Sequence, residues 1–305
     1  MVRYLLRSLL LAALVCLTVL VISFTLTRFG GNLAINLAGP DASAESIARI
    51  EHQLGLDRPL PVQFVDWGDR ALHGDLGDSF LFHESVAHLI ETHLPVTLTL
   101  GLLAIGIAIV AALPLGILAA LNEGTIIDVA IGMLTLAGQA IPSFWLGLML
   151  IIWFGVDLGW LPISGVDDWT GYVMPAFVLA FVAIPVMLRL TRGGMVDALR
   201  ADYVRTARAK GLSRVSIVLK HALRNAAMPV VAVSAVQLGF ILGGSVVTEV
   251  VFNVRGLGYL AWESIQKGDF PVIQAVVLLF ALLFVGLTLL ADLLNAALDP
   301  RLRTA

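Results

Sequence analysis

The chain has 305 residues, of which 59% are hydrophobic and only 13% charged, with a formal net charge of −3. Soluble domains carry charge on about a quarter of their residues, so this composition excludes an ordinary water-soluble globular protein and places most of the chain in lipid. A bilayer core of roughly 30 Å needs about 20 apolar residues per helix. Six runs meet that requirement, at 9–26, 94–121, 129–156, 172–190, 230–247 and 272–291. The alternating ten-residue segments of an outer-membrane barrel are missing, so the runs predict helices and an all-α membrane protein of six transmembrane helices.

The first run follows Arg3 and Arg7 as a signal peptide would, but it is long, and Arg28 stands where a small-residue cleavage site would be. Residues 1–28 therefore read as a retained anchor helix. Cys16, the single cysteine, lies within it and implies neither a disulfide framework nor a thiolate metal site. Residues 29–93 form the one long segment outside the membrane; from Arg28 to His93 there are ten Asp or Glu against four Arg. Within it, 42–54 suits a short amphipathic helix opened by Ser43, and Asp57-Arg58-Pro59-Leu60-Pro61 breaks that helix. Five of the six histidines also lie there. His83, His88 and His93 recur every five residues, so on one helix successive rings point about 140° apart, and no metal site is predicted.

Nine of the 19 Lys and Arg fall between Arg189 and Arg224, two precede the first run, and Arg301 and Arg303 lie in the tail. Six spans put these regions on one side, which the positive-inside rule makes cytoplasmic, with both termini inside. The connection 122–128 belongs on that side too, yet carries no positive charge. Residues 94–298 read as a five-helix core, and 1–305 as a single permease domain with no linker or internal repeat.

The cytoplasmic segment 191–229 is the most informative. Gly211 suits a left-handed residue ending one short helix, with Arg208 and Lys210 in its last turn, and Ser213 can cap a second helix. Pro229 marks the return to the membrane. A mere topology determinant needs only charge, whereas here small residues (Ala201, Thr206, Ala207, Ala209) alternate with Arg. Small side chains permit close docking in another protein's groove, and arginines can hold its acidic groups.

Asp202-Tyr-Val-Arg-Thr-Ala-Arg-Ala-Lys-Gly211, followed by His221-Ala-Leu-Arg-Asn-Ala-Ala-Met-Pro229, resembles the coupling segment of permeases in the dipeptide/oligopeptide/nickel ABC importer family. The general importer motif has Glu-Ala-Ala where this chain has Arg205, Thr206 and Ala207, and its proline comes five positions before Pro229. Further matches are 54–64 and 73–79 in the outer segment, 142–147 in the third run and 249–258 after the fifth. The resemblance implies the type I importer permease fold in a bacterial inner membrane. It also implies a homologous second permease, two ATP-binding subunits that hold ATP and magnesium, and an extracytoplasmic solute-binding protein, with no cofactor in this chain and no nucleic-acid partner. Asp202, Tyr203, Arg205, Thr206, Ala207, Arg208, Lys210 and Gly211 are then the residues expected to couple to the ATPase. Cargoes of the family include dipeptides, oligopeptides, glutathione-like compounds, opines and chelated nickel.

Polar groups within spans require a partner or a function. Gln139, Ser143 and Gln237 are the candidates for a translocation path, while Gly239 and Gly243 form a small-residue packing face. Pro114, Pro142, Pro175 and Pro185 are expected to kink their helices, and Glu249 and Asp292 to sit near water. No Gly-x-x-x-x-Gly-Lys-Ser/Thr phosphate loop surrounds Lys210, Lys220 or Lys267, and no hydrolase motif is present. The reading is therefore a non-enzymatic transport subunit powered by a separate ATPase. The rival is a secondary transporter not powered by ATP, which commonly shows two related halves.

Overall fold

The computed structural model describes residues 2–29, 34, 38, 42–53 and 55–298. The tail arginines Arg301 and Arg303 lie outside them, as do parts of the outer segment. The helices are α1 (Val2–Phe29), α2 (Ala44–Gln53), α3 (Leu60–Leu72), α4 (Val86–Leu121), α5 (Ile126–Ala140), α6 (Ser143–Asp157), α7 (Trp169–Arg200), α8 (Asp202–Ala209), α9 (Arg214–Val251), α10 (Leu257–Lys267) and α11 (Phe270–Leu298). Among the described residues no strand forms, only an isolated bridge between Asp78 and Ser85.

Five of the six apolar runs lie within single helices, and the run 129–156 is broken at Ile141-Pro142. By length and apolarity α4, α7, α9 and α11 can each cross a membrane, α5 and α6 make a fifth crossing if taken as one span bent by 97°, and α1 holds the shorter apolar stretch Ala13–Thr25. The bend falls at Ile141-Pro142: Pro142 has no N–H to continue the α5 ladder, and it becomes the N-cap of α6. Pro185 lies inside α7. Pro175 is in the first turn of the α-helical part of α7, where no N–H is required.

Some elements differ from the sequence reading. Helix α4 starts at Val86, two turns before the apolar run, because Ser85 Oγ accepts from His88 N at 3.3 Å and caps it. Helix α3 was expected only as a break, yet Pro59 as N-cap and Pro61 in the first turn open it. Proline's fixed φ suits a helix start as well as it spoils a middle. Pro229 does not end a helix but lies inside α9, flanked by the buried Ala226 and Val230. Packing on both sides outweighs its missing hydrogen bond. Ser43 does cap α2, accepting from Ser46 N at 3.2 Å.

The chain forms two compact units. One comprises chiefly Leu98–Val254, with Gly286 onward. Its core is Leu100, Ala104, Ala108 and Ala112 of α4, Leu179, Ala180, Ala183 and Met187 of α7, and Val230 and Ile241 of α9. Helices in lipid associate by close packing rather than by expelling water, which favours small residues at the seams. A Cβ on Gly116 would come within 2.6 Å of Thr191 Cβ, and one on Gly101 within 2.7 Å of a Leu242 methyl. Gly239 is buried, and a Cβ on Gly243 would meet open space within this chain. Glu249, expected near water, is fully buried, with Ser245 Oγ donating to its carboxylate at 2.8 Å.

The second unit comprises Arg3–Thr97 and Arg255–Val285. Val86 and Leu89 of α4 pack with Leu257, Leu260 and Ala261 of α10 and with Val272, Ala275 and Val276 of α11. Buried Asp269 accepts from Ser79 Oγ and from the amides of Leu81 at 3.2 Å and Phe80 at 3.4 Å, which satisfies an otherwise costly carboxylate and fastens 79–81 to the start of α11.

Candidate coupling segment and translocation path

Helix α8 has only eight residues, too few to be stable alone in water. It is held by Val204 and Ala207, which are buried against Ile217 at the start of α9. Burying the Val204 side chain contributes about 1.5–3 kcal/mol, the scale needed to fix so short a helix. Gly211 takes φ +76 and reverses the chain, as the sequence predicts, and Gly211 N donates to Arg208 O at 3.0 Å. Ser213 then caps α9, accepting from Ser216 N at 3.3 Å. The first turns of α9 are wide π turns over Ile217–Ala222.

These contacts sort the predicted coupling residues. Asp202, Arg205, Thr206, Arg208, Lys210 and Gly211 are exposed. Arg205 lies 3.6 Å from Asp202, both side chains almost wholly in solvent, while Arg208 and Lys210 make no ion pair among the described residues. Tyr203 is 41% exposed, and its hydroxyl accepts from Asn225 Nδ2 at 2.9 Å, a second tie between α8 and α9. Ala207 differs from the rest: it is buried in the internal contact with Val204 and Ile217. What the segment presents outward is a short basic ridge on a fixed base.

The acidic connection 122–128 explains its lack of positive charge. Arg192 of α7 makes a bidentate pair with Asp128, at 2.6 Å from Nε and 2.6 Å from Nη2, and Arg200 Nη2 holds both oxygens of Glu123 at 2.9 and 2.8 Å. Asp128 also accepts from Gly124 N at 3.0 Å. These pairs put the connection and the basic end of α7 at one end of the unit.

Gln139 and Ser143 flank the α5–α6 bend. With its amide oxygen toward the guanidinium, Gln139 accepts from Arg189 at 3.0 and 3.1 Å. Gln237 on α9 is half-buried and makes no hydrogen bond among the described residues. No hydrogen bond joins Gln237 to the other two among those residues. No three His, Cys, Asp or Glu of the described residues are grouped to hold a metal ion.

Residues 112–304 match the family described as binding-protein-dependent transport system inner membrane component, and residues 1–101 match the family described as the N-terminal part of the membrane component of such systems. The chain belongs to this family. It is the permease subunit of an ATP-driven importer in a bacterial inner membrane; ATP is hydrolysed by a separate subunit, and an ATP-independent carrier is not its class. The permease is similar to the glutathione transport system permease protein GsiC of Salmonella choleraesuis, 44% identical over 306 residues and 99% of each chain. To GsiC of Escherichia coli it is 42% identical over 305 residues, again covering 99% of both. Among solved structures, the inward-facing MetNI methionine ABC transporter has a TM-score of 0.59 at 21% identity, covering 69% of this chain and 96% of that one. An amino acid ABC transporter has a TM-score of 0.51 at 16% identity, covering 68% and 94%. The architecture is thus that of type I importer permeases.

Proposed function

We propose that the permease forms half of the translocation path for glutathione or a similarly small peptide, and that α8 with the following turn docks in a cleft of the ATPase. The observation that carries the coupling reading is the basic ridge of Arg205, Arg208 and Lys210, exposed and without structural use, on a helix anchored by Val204 and Ala207. The cargo reading rests on relatives named for glutathione that align over 99% of the chain; it narrows the wider family range of dipeptides, oligopeptides, opines and chelated nickel.

In this reading 1–305 acts as one permease domain with six spans and both termini in the cytoplasm. It works with a homologous second permease, two ATP-binding subunits that carry ATP and magnesium, and an extracytoplasmic solute-binding protein. Closure of the ATPase pair pushes α8 and rocks the spans between inward- and outward-open states, a rigid-body alternation. Gln139, Ser143 and Gln237 line the path. The test reconstitutes the whole importer in proteoliposomes and measures ATPase stimulation and glutathione uptake with loaded binding protein. Thr206→Glu is the informative variant, because Ala207→Glu would also break the internal contact of α8. Normal stimulation by an assembled Thr206→Glu importer removes the coupling assignment; stimulation by a loaded dipeptide but not by glutathione removes glutathione as the cargo, and stimulation by neither removes the small-peptide reading.

A further inference from the structure

Arg28 ends α1 and Arg70 lies in the last turn of α3. Neither guanidinium has a hydrogen bond or ion pair with any described residue. Arg28 is half-buried, its Nε is both out of reach of water and unpartnered, and its guanidinium carbon lies 5.1 Å from the centre of the Phe24 ring. A desolvated, unpaired cation beside a second cation is costly unless something else supplies the counter-charge.

Both arginines line a cavity of about 340 Å³, with Trp67, Phe80, Asp75 and Asp78 also in its wall. Two positive and two negative side chains thus face the same space, yet no ion pair joins them. Asp75 accepts from Gly77 N at 2.9 Å instead. An adjoining cavity of about 420 Å³ shares Arg28 and Arg70; its acids are engaged elsewhere, Asp66 with Arg58 at 3.1 Å and Asp69 3.8 Å from His73. Gln63 lines that second space with Oε1 buried and unpartnered, its Nε2 already donating to two carbonyls. Opposite charges held apart, with one unmet donor and one unmet acceptor, suit a ligand that carries both signs.

We propose that this is a site for a zwitterion, with an oxyanion on Arg28 and Arg70 and an ammonium group toward Asp75 and Asp78, and that its occupant is the phosphoethanolamine head of an aminophospholipid. Placement favours the lipid. Arg28 follows the apolar stretch Ala13–Thr25 by less than one turn, the depth at which headgroups begin. Leu10, Leu14, Leu17 and Val21 are 44–71% exposed and lie on the same helical face as Arg28, giving an acyl chain a track that leads to it. Phe24, Phe64 and Trp67 form an aromatic cluster beside that end.

A zwitterionic peptide has the same pair of charges, so the experiment separates the two sources. The whole importer, extracted in mild detergent, is analysed by native mass spectrometry and by thermal shift with added phosphatidylethanolamine, phosphatidylglycerol or glycylglycine. Retained phosphatidylethanolamine that falls at least threefold in Arg28→Gln/Arg70→Gln, with retention restored by Arg28→Lys/Arg70→Lys, supports the lipid site. Protection by glycylglycine but not by lipid, lost in the Gln variant, keeps the zwitterion site and assigns it a soluble ligand. Equal lipid retention and equal shifts in wild type and the Gln variant overturn the site, as does a Gln variant that loses only its response to binding protein, since the arginines would then hold an acidic group of that protein.

Discussion

Arginines in this permease occur in two conditions. Arg192 and Arg200 are matched, each gripping a carboxylate of the 122–128 connection, and the outcome is a loop fastened to a helix. Arg28, Arg70, Arg208 and the nearly solvent-surrounded Arg205 are unmatched or loosely matched. Side chains of one type are thus used internally in one place and left available in another. Matched arginines report how the chain is held together, and unmatched ones report what it meets.

The largest expected effect follows from reversing the unmatched set on α8. Arg205→Glu/Arg208→Glu leaves the internal contact intact and is expected to lower ATPase stimulation and uptake more than tenfold at normal protein levels; unchanged stimulation would mean that the ridge is only a solvated surface. Reversing the partner of a matched arginine has a different signature. Asp128→Arg sets two cations together in a half-buried site and is expected to destabilise by about 1.5–3 kcal/mol, read as a several-fold lower level in membranes. The exchange Asp128→Arg/Arg192→Asp should restore much of that level, and its failure to do so would show that the pair is not what holds the loop.

Glu123→Gln removes a far more exposed pair, with side chains 69% and 40% accessible, and is expected to change stability by less than about 1 kcal/mol, an effect that salt erases. The smallest effect is at Asp57, whose carboxyl is held below the usual range chiefly by its hydrogen bond with His52. A depressed folded pKa stabilises above the unfolded value of about 3.9 and loses that contribution as pH falls through the lower folded value. Limited proteolysis of the outer segment should therefore differ between wild type and Asp57→Asn above about pH 4 and converge below it.

Much of this was legible in the sequence because the cause was local. Apolar runs gave the helices, Gly211 the reversal, and Ser43 and Ser213 the caps. What was missed depended on neighbours distant in the chain or on position within a helix. Pro59 and Pro61 read as breakers, although the same ring opens α3. Pro229 read only as the return to the membrane, yet α9 runs through it, with Ala226 and Val230 buried on either side. Ala207 is small for an internal reason, its contact with Ile217 across a ten-residue gap that no periodicity reveals. Glu249 read as wet because it lies near the end of an apolar run, yet Ser245 and the surrounding helices enclose it. Asp128 and Arg192 are 64 positions apart, and only the fold brings them together.

The continuity of α9 has a mechanical consequence. With 38 residues at about 1.5 Å each it is a rod of about 57 Å, so a tilt of about 5° at its foot carries the far end about 5 Å. Its compliance is unevenly placed: the π turns of Ile217–Ala222 and Pro229 both fall in the half nearest α8, and no proline interrupts the remainder. Bending is therefore concentrated in the turns nearest α8, and the stretch beyond Pro229 that carries Gln237 and the buried Glu249 has neither a π turn nor a proline.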